Sequence, residues 1–459
     1  MRTLFLSTVC GLALLSGCQS YEPLPLDVPG HIAGWRDRDP GGDDVRRFAA
    51  ELAARDSRPR GVFNPQDGID LDEAEAIALF FNADLRVARL EADAMLAGAE
   101  AAGSWADPEL ALDGARILQS VSNPWILAAS IEITIPFSGR PGVEQDLAFA
   151  RHDAGRRAVI FLEWGVLTEL REAWRELAAV DRRIEAGRLF RDDLKRVGEI
   201  AAKLAQSGDL GRVEARVFEI ELAEVDAELI KLAGEREQLV LSIKEAMGLR
   251  PGAPLELSPS LTSGDDMRSL TNRRNRVLKN SPELALHRAR YEIAEQELRL
   301  EIRKQYPDLV IGPGYELEEG QSRIALGLGL PIPVINLNRE GIALARGNRL
   351  AAKAGFESEL ERTLHRLASA ESRLATASAT RVQIETRLAP LIDAQLADAR
   401  KLAELGEFDV FLQLEAVRSA RDTKLRLVEA RLGEARAMDG IVALMGPGFV
   451  PAEEEIERK

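Results

Sequence analysis

The residues that could bind a metal or move a proton are scattered. The four histidines, His31, His152, His287 and His365, stand alone in the chain, and no Cys or His cluster has metal-ligand spacing. Each histidine reads as a helix-surface or packing residue. Asp192-Asp193 and the run Glu453-Glu454-Glu455 read as solvated charge, so neither an enzyme nor a cofactor is expected. One side chain points to a definite chemistry. Cys18 follows Leu15-Ser16-Gly17 at the end of an apolar stretch from Leu4 to Leu15, with one basic residue, Arg2, before it. This is the build of a secretory signal cut before a cysteine whose thiol is acylated, the alternative being an ordinary signal with a chance cysteine. Gln19 stands where Asp would suggest retention in the inner membrane. Cys10 leaves with the signal, so Cys18 is expected to be the only thiol of the mature chain and a monomer could form no disulfide.

The rest of the chain is written twice. Trp105-Ala106-Asp107-Pro108-Glu109-Leu110 matches Lys304-Gln305-Tyr306-Pro307-Asp308-Leu309, and Leu147-Ala148-Phe149-Ala150-Arg151 matches Ile342-Ala343-Leu344-Ala345-Arg346. Further on, Leu204-Ala205-Gln206-Ser207-Gly208-Asp209 matches Leu402-Ala403-Glu404-Leu405-Gly406-Glu407, and each copy closes alike, with Ala246-Met247-Gly248 against Leu444-Met445-Gly446. The matches keep one register to within a few residues, which marks a true internal repeat. Repeat 1 covers 69–250 with strands at about 107–137, and repeat 2 covers 265–446 with strands at about 307–333. Each runs helix, β-hairpin, long helix, helix. Outside them lie a signal peptide (1–17), a lipidated N-terminal tail rich in Pro and Gly (18–68) and an acidic tail (447–459).

Composition suits long helices: aromatics are 5% and charged residues 29%. The net charge of −15 speaks against a nucleic-acid partner. No proline occurs from Gly142 to Gln206 or from Glu340 to Leu388, and a lone Pro390 interrupts a pattern that runs on to Leu405. Segments of about 65 residues make rods of roughly 100 Å. Ile160, Leu167 and Trp174 in the first, and Leu360, Leu367 and Leu374 in the second, recur every seven residues as coiled-coil seams do. The shorter segments, Asp70 to Gly103 with Gly211 to Met247, and Asp266 to Gln305 with Asp409 to Met445, are each about half a rod, so they stack in pairs along it. Gly208-Asp209 and Gly406-Glu407 punctuate the joints as C-terminal glycines do.

Beyond the signal no apolar run is long enough for a spanning helix, so any crossing of a membrane falls to strands. Ile131, Ile133 and Ile135 alternate with Ser130, Glu132 and Thr134, and Ile324, Leu326, Leu328 and Leu330 with Ala325, Gly327 and Gly329. Weaker partners precede them at Pro108 to Asp113 and Pro307 to Glu318. A covered sheet in a soluble sandwich would alternate in the same way, but four strands joined to such rods leave no second sheet to cover them. In lipid only a closed barrel satisfies the backbone. Closure therefore requires further copies of the chain.

The cysteine signal, the duplicated order, the extended runs ending in Ile135-Pro136-Phe137 and Leu330-Pro331-Ile332-Pro333, and the turns at Gly208 and Gly406 together resemble the TolC-like outer-membrane efflux family. The second hairpin, from Gly314-Tyr315-Glu316 through Gly327-Leu328-Gly329-Leu330 to Asn336-Leu337-Asn338-Arg339, is similar to the branch paired with heavy-metal resistance pumps, cobalt-zinc-cadmium or copper. The resemblance implies a mainly α protein with a small membrane β-barrel contribution, assembled as a homotrimer with a periplasmic α-barrel and a twelve-stranded β-barrel. It implies a lipid-anchored place in the outer membrane of a Gram-negative bacterium. It also implies a passive exit duct that docks on a periplasmic adaptor and serves an inner-membrane pump, of the resistance-nodulation-division type, with divalent heavy-metal cations among the candidate substrates. A type I protein-secretion channel uses the same trimer and stays open as a reading; a structural coiled-coil envelope lipoprotein would not need the alternating strands. Family docking falls on the helix tips, which places Leu204, Gly208 and Asp209 in one tip and Leu402, Gly406 and Glu407 in the other. Alignment on Gly406 assigns the acidic gate to Glu415, with Asp409 close by in the turn. Glu407 and Leu412 depart from the family, where a small hydroxyl residue and another acid are common, and an exposed helix carboxylate is the plain alternative for Glu415.

Overall fold

The computed structural model describes residues 21–55, 62–262, 272–318, 320–333, 335–405 and 407–447. The signal peptide, Cys18, Gly406 and most of the acidic tail lie outside the described residues. The chain forms two units, Met1–Asp39 and Pro40–Lys459. In the first, α1 (Val28–Arg36) begins at Asp27, whose carboxylate accepts from the Gly30 amide at 2.9 Å, and Pro29 sits in its first turn, where a missing N–H costs nothing.

The second unit carries the repeats. The stretch read as a tail contains α2 (Asp43–Arg55), and its Val45 is buried in the main core with Phe48 packed alongside. Repeat 1 comprises α3 (Leu71–Phe81), α4 (Ala83–Ala101), β1 (Glu109–Arg116), β2 (Trp125–Ile135), α5 (Arg140–Ser207) and α6 (Arg212–Ala246). Repeat 2 comprises α7 (Arg273–Asn280), α8 (Pro282–Arg303), β3 (Leu309–Glu318), β4 (Gln321–Gly329), α9 (Arg339–Gln383), a π turn (Ile384–Leu388), α10 (Ala389–Glu404) and α11 (Val410–Met445).

The leading helix of each repeat is broken, where the sequence pattern predicts one continuous segment. At Asn82 (φ −56°, ψ 131°) and at Ser281 (φ −58°, ψ 121°) one helix ends and the next begins on the same residue. The Asn82 side chain accepts from the amides of Asp84 and Leu85, and the Ser281 hydroxyl from that of Leu284, because short polar side chains compete with the helix for its own amides. The closing glycines explain the placement. Gly248 (φ +66°) and Gly446 (φ +72°) press against these breaks so closely that a Cβ would lie 2.2 Å from the Phe81 and Asn280 carbonyl oxygens respectively. Asn82 then donates to the Ala246 carbonyl at 2.9 Å. The repeat thus ties its last helix back to its first.

α5 runs 68 residues without a break, about 100 Å. Its counterpart reaches the same length in three pieces. Pro390 has no amide to give the Thr386 carbonyl and its ring would crowd it; the chain widens one turn over Ile384–Leu388, and the Ala389 amide bonds to the Ile384 carbonyl, five residues back.

The four strands form one antiparallel sheet in the order β1-β2-β3-β4, with Leu110 opposite Ile131, Ile133 opposite Ile311 and Tyr315 opposite Ile324. The rods have a matching order. Next to the sheet it is α4, α5, α8, α9; towards the tips it is α6, α5, α11, then α9 and α10. The main core lies midway, around Ile77, Leu170, Trp174, Met247, Leu374 and Ile441. Trp174 is fully enclosed in this core, while Trp164 donates its Nε1–H to the Ala443 carbonyl at 2.7 Å, joining the two repeats. Arg175, also buried, bonds to Asp439 at 2.9 Å and to the carbonyls of Ser260 and Thr262 at 2.7 and 3.0 Å, so it fixes the inter-repeat segment against both repeats.

Candidate functional site

Two places combine exposure with built geometry: the helix tips and the sheet. At the first tip Gly208 (φ +89°) lets the chain reverse, and the amides of Gly208, Asp209 and Leu210 converge on the Leu204 carbonyl, the last two at 2.9 and 3.1 Å. A left-handed residue at this position is the usual helix stop, and glycine enters it without strain. Ser207 donates to Asp209 at 2.7 Å. The second tip repeats the bond, from the Glu407 amide to the Leu402 carbonyl at 3.0 Å.

Asp409 is the N-cap of α11, its carboxylate accepting from the Leu412 amide at 3.0 Å. Glu415 lies exposed nearly two turns further along α11 and accepts from the Ser419 hydroxyl at 3.1 Å. Of the two carboxylates assigned from the sequence, Asp409 is committed to a cap and Glu415 bonds a side chain of its own helix.

Below the turns Phe190, Leu194, Phe218, Val410, Leu414 and Val417 share one apolar cluster, so the two tips of a chain are packed together. Ion pairs reinforce it: Arg400 with Asp193 at 2.8 Å, and Arg418 with Glu221. The hydrogen bond to Glu221 raises the Arg418 pKa above its ordinary value against the opposing effect of burial. The sequence did not single out Val213 and Phe411. They occupy the second position of α6 and of α11, are 79% and 72% exposed, and stand at corresponding places in the two tips. The available signal was an apolar residue just past each tip turn, at the same place in both copies of the repeat.

The sheet has two faces of different character, as follows from its register. One face carries Leu110, Leu112, Trp125, Leu127, Ile131 and Ile133, continuing through Ile311, Pro313, Tyr315 and Leu317 to Ile324, Leu326 and Leu328. Ile324 is 91% exposed. The other face carries Glu109, Asp113, Ser130, Glu132, Thr134, Glu316, Glu318 and Arg323, together with Gly312, Gly314 and Gly327. Glu109 stands directly opposite Glu132, and Arg323 pairs with Glu318 at 2.6 Å. An exposed apolar band backed by a polar face suits a strand layer between a low-dielectric medium and water. Among the described residues, the outer strands β1 and β4 each leave one backbone edge unpaired.

Among the described residues no helix is long and apolar enough to cross a membrane, and no group of three or more His, Cys, Asp or Glu could hold a metal. His152 lies within 3.2 Å of the Ala92 carbonyl through Nδ1, a packing contact between α5 and α4.

No protein-family model matches the chain. It is 21% identical over 384 residues to the cobalt-zinc-cadmium resistance protein CzcC of Cupriavidus metallidurans, a match covering 80% of this chain and 87% of that protein. Among solved structures, the outer-membrane channel OprN superposes with a TM-score of 0.72 at 17% identity, covering 90% of this chain and 97% of that one. The outer membrane protein VceC of Vibrio cholerae superposes at 0.70 and 17% identity, covering 83% and 97%. CusC, described by its folding and transmembrane channel formation, superposes at 0.69 and 13% identity, covering 82% and 92%. The duplicated helix-hairpin-helix order, the four-stranded sheet and the paired tips are therefore those of the TolC-like outer-membrane channels, whose fold this chain has.

Proposed function

We propose that the protein is the outer-membrane channel of a tripartite efflux system, a passive exit duct for substrates expelled by an inner-membrane pump through a periplasmic adaptor. One observation carries this reading. The sheet ends in open edges at β1 and β4, and the rod layer ends at the corresponding margins, α4 and α6 on one side and α9 and α10 on the other. One head-to-tail contact between copies can close both layers at once. Three copies give twelve strands, within the range of closed barrels, with the apolar face towards lipid and the face bearing Glu109, Glu132 and Glu316 towards the lumen. The paired tips then form the periplasmic end, offering Leu204, Gly208, Asp209, Leu402, Gly406 and Glu407 to the adaptor, with Glu415 at the aperture. Cys18 supplies a lipid anchor. Divalent heavy-metal cations are the substrate class favoured by the similarity to CzcC and by the acidic face of the sheet.

Mass in detergent and conductance in a planar bilayer test the channel. A trimer that conducts is expected; a stable monomer that conducts would overturn the reading. Growth of a deletion strain in zinc, cadmium, cobalt and copper, against dyes and detergents, tests the substrate class. Cys18→Ala is expected to remove fatty-acid labelling and lower abundance while leaving the protein in the membrane.

A further inference from the structure

The apolar face of the sheet carries one charge. Among the described strand residues of that face, Arg116 is the only ionisable cation or anion, and it fills the last position of β1 directly opposite Trp125, the first residue of β2. Both side chains are exposed, Trp125 at 56%.

The place of this pair along the strands decides what it meets. The rods join the sheet where β1 and β3 begin and where β2 and β4 end, so Arg116 and Trp125 border the opposite, hairpin end. β2 has 11 residues, from Trp125 at that end to Ile135 beside Leu309 at the rod end. They span about 33 Å along the strand, or about 25 Å of height at the usual tilt, which is the height of the lipid-facing band of a membrane barrel. Exposed Phe137 and Tyr306 lie just beyond the rod end. Arg116 and Trp125 therefore stand at the far border of the band, where amphipathic rings settle between hydrocarbon and headgroups.

The guanidinium there is held but not neutralised. It lies 5.6 Å from the centroid of the Trp125 ring, and among the described residues no carboxylate pairs with it. The connection that follows, Ile117 to Pro124, contains no Asp or Glu. The other hairpin supplies the contrast: Arg323 stands on the polar face and pairs with Glu318 at 2.6 Å. A cation at the edge of a low-dielectric layer needs water or an anion beside it. A guanidinium stacked on an indole keeps its N–H edge open, and phosphate oxygens accept two of those bonds at once. Gly114, two residues before Arg116 on the same face, leaves the flank of Leu127 uncovered, so a hydrocarbon chain can lie directly below the charge.

We propose that Arg116, stacked on Trp125, binds a phosphate group of the phosphorylated glycolipid that forms the outer leaflet of the outer membrane, one lipid per chain, with an acyl chain over Gly114 and Leu127. The site rests on the channel reading, which sets the hairpin end of the sheet in that leaflet. Phospholipid offers the same phosphate chemistry, but it fills the leaflet at the rod end.

The full-length protein in detergent, titrated with diphosphoryl lipid A and followed by native mass spectrometry, tests the site. The parent is expected to bind the lipid up to one molecule per chain. Arg116→Gln should weaken binding about tenfold, and Trp125→Leu about threefold. Arg116→Lys should fall between the parent and the Gln variant, because a point charge replaces the fork. Arg323→Gln, on the other face, should change nothing. Parental affinity in Arg116→Gln, with the protein still a trimer by mass, overturns the site and leaves the channel standing. Should Arg116→Gln fail to assemble, the Lys variant decides, and parental affinity there overturns the guanidinium as the recognising group. Equal affinity for phosphatidylglycerol, or displacement of lipid A by millimolar inorganic phosphate, overturns the glycolipid as the occupant. A monomer by mass overturns the channel and the site together.

Discussion

Replacing Arg175 by Met should strongly destabilise the middle of the molecule. The guanidinium is almost fully enclosed and bonds to three partners, Asp439 at 2.9 and 3.4 Å and the Ser260 and Thr262 carbonyls at 2.7 and 3.0 Å. Removing it leaves a largely buried carboxylate without its cation, which costs about 3–5 kcal/mol. The two carbonyls lose a charged donor but lie near the surface, adding about 1 kcal/mol together. Arg175→Met is therefore expected to destabilise by about 4–6 kcal/mol, and Asp439→Leu by about 3 kcal/mol, because the arginine keeps its carbonyl partners. The double variant replaces the ion pair with an apolar one and should recover most of the loss, giving a coupling of about 3 kcal/mol or more. Urea unfolding in detergent, followed by helical circular dichroism, gives the cycle, and limited proteolysis within residues 251–262 should accelerate in Arg175→Met alone. Single variants within 1 kcal/mol of the parent, or a strictly additive cycle, would refute the assignment of Arg175 as the clamp.

Gly208→Val places a β-branched residue at φ +89° and should cost about 2 kcal/mol locally; adaptor binding measured by pull-down is expected to fall while the trimer persists. The hydrogen bond from Arg431, aided by Arg381, holds the Glu385 carboxyl below its ordinary 4.5. Its folded pKa is thus below its unfolded one, so this network stabilises fully above pH 4.5 and loses its contribution as the pH falls below that value. Thermal melting should show that acid-side loss, and Glu385→Gln should reduce it. Glu415→Ala should lower cation preference and raise resting conductance in a planar bilayer; unchanged values would return Glu415 to an ordinary exposed carboxylate.

The rods, the hairpins and the tip at Gly208 were legible because each rests on local rules: absence of proline over 142–206, alternation in 131–135, and a glycine where a helix must stop. Strand order was not written in any one segment, since pairing of β2 with β3 joins residues almost two hundred positions apart. The breaks at Asn82 and Ser281 escaped because both residues sit in otherwise continuous helical patterns, and only the approach of Gly248 and Gly446 decides that the chain bends there. The Pro390 interruption was visible, but its accommodation by a widened turn depends on how α9 and α10 pack on α11. At the tips the charged residues were read from family likeness, whereas the cap made by Asp409 and the exposure of Phe411 are consequences of where α11 begins.

The widened turn at Ile384–Leu388 gives the two rods of a chain unequal stiffness. Below it, the 16 residues of α10 form an arm of about 24 Å. A bend of about 10° at Pro390 swings the end of that arm by about 4 Å, roughly the width of one strand spacing, while α5, a single uninterrupted helix, offers no such elbow. Leverage is therefore available to one tip of each chain and denied to its twin, so the proposed ring of identical subunits would contain alternate rigid posts and steerable ones.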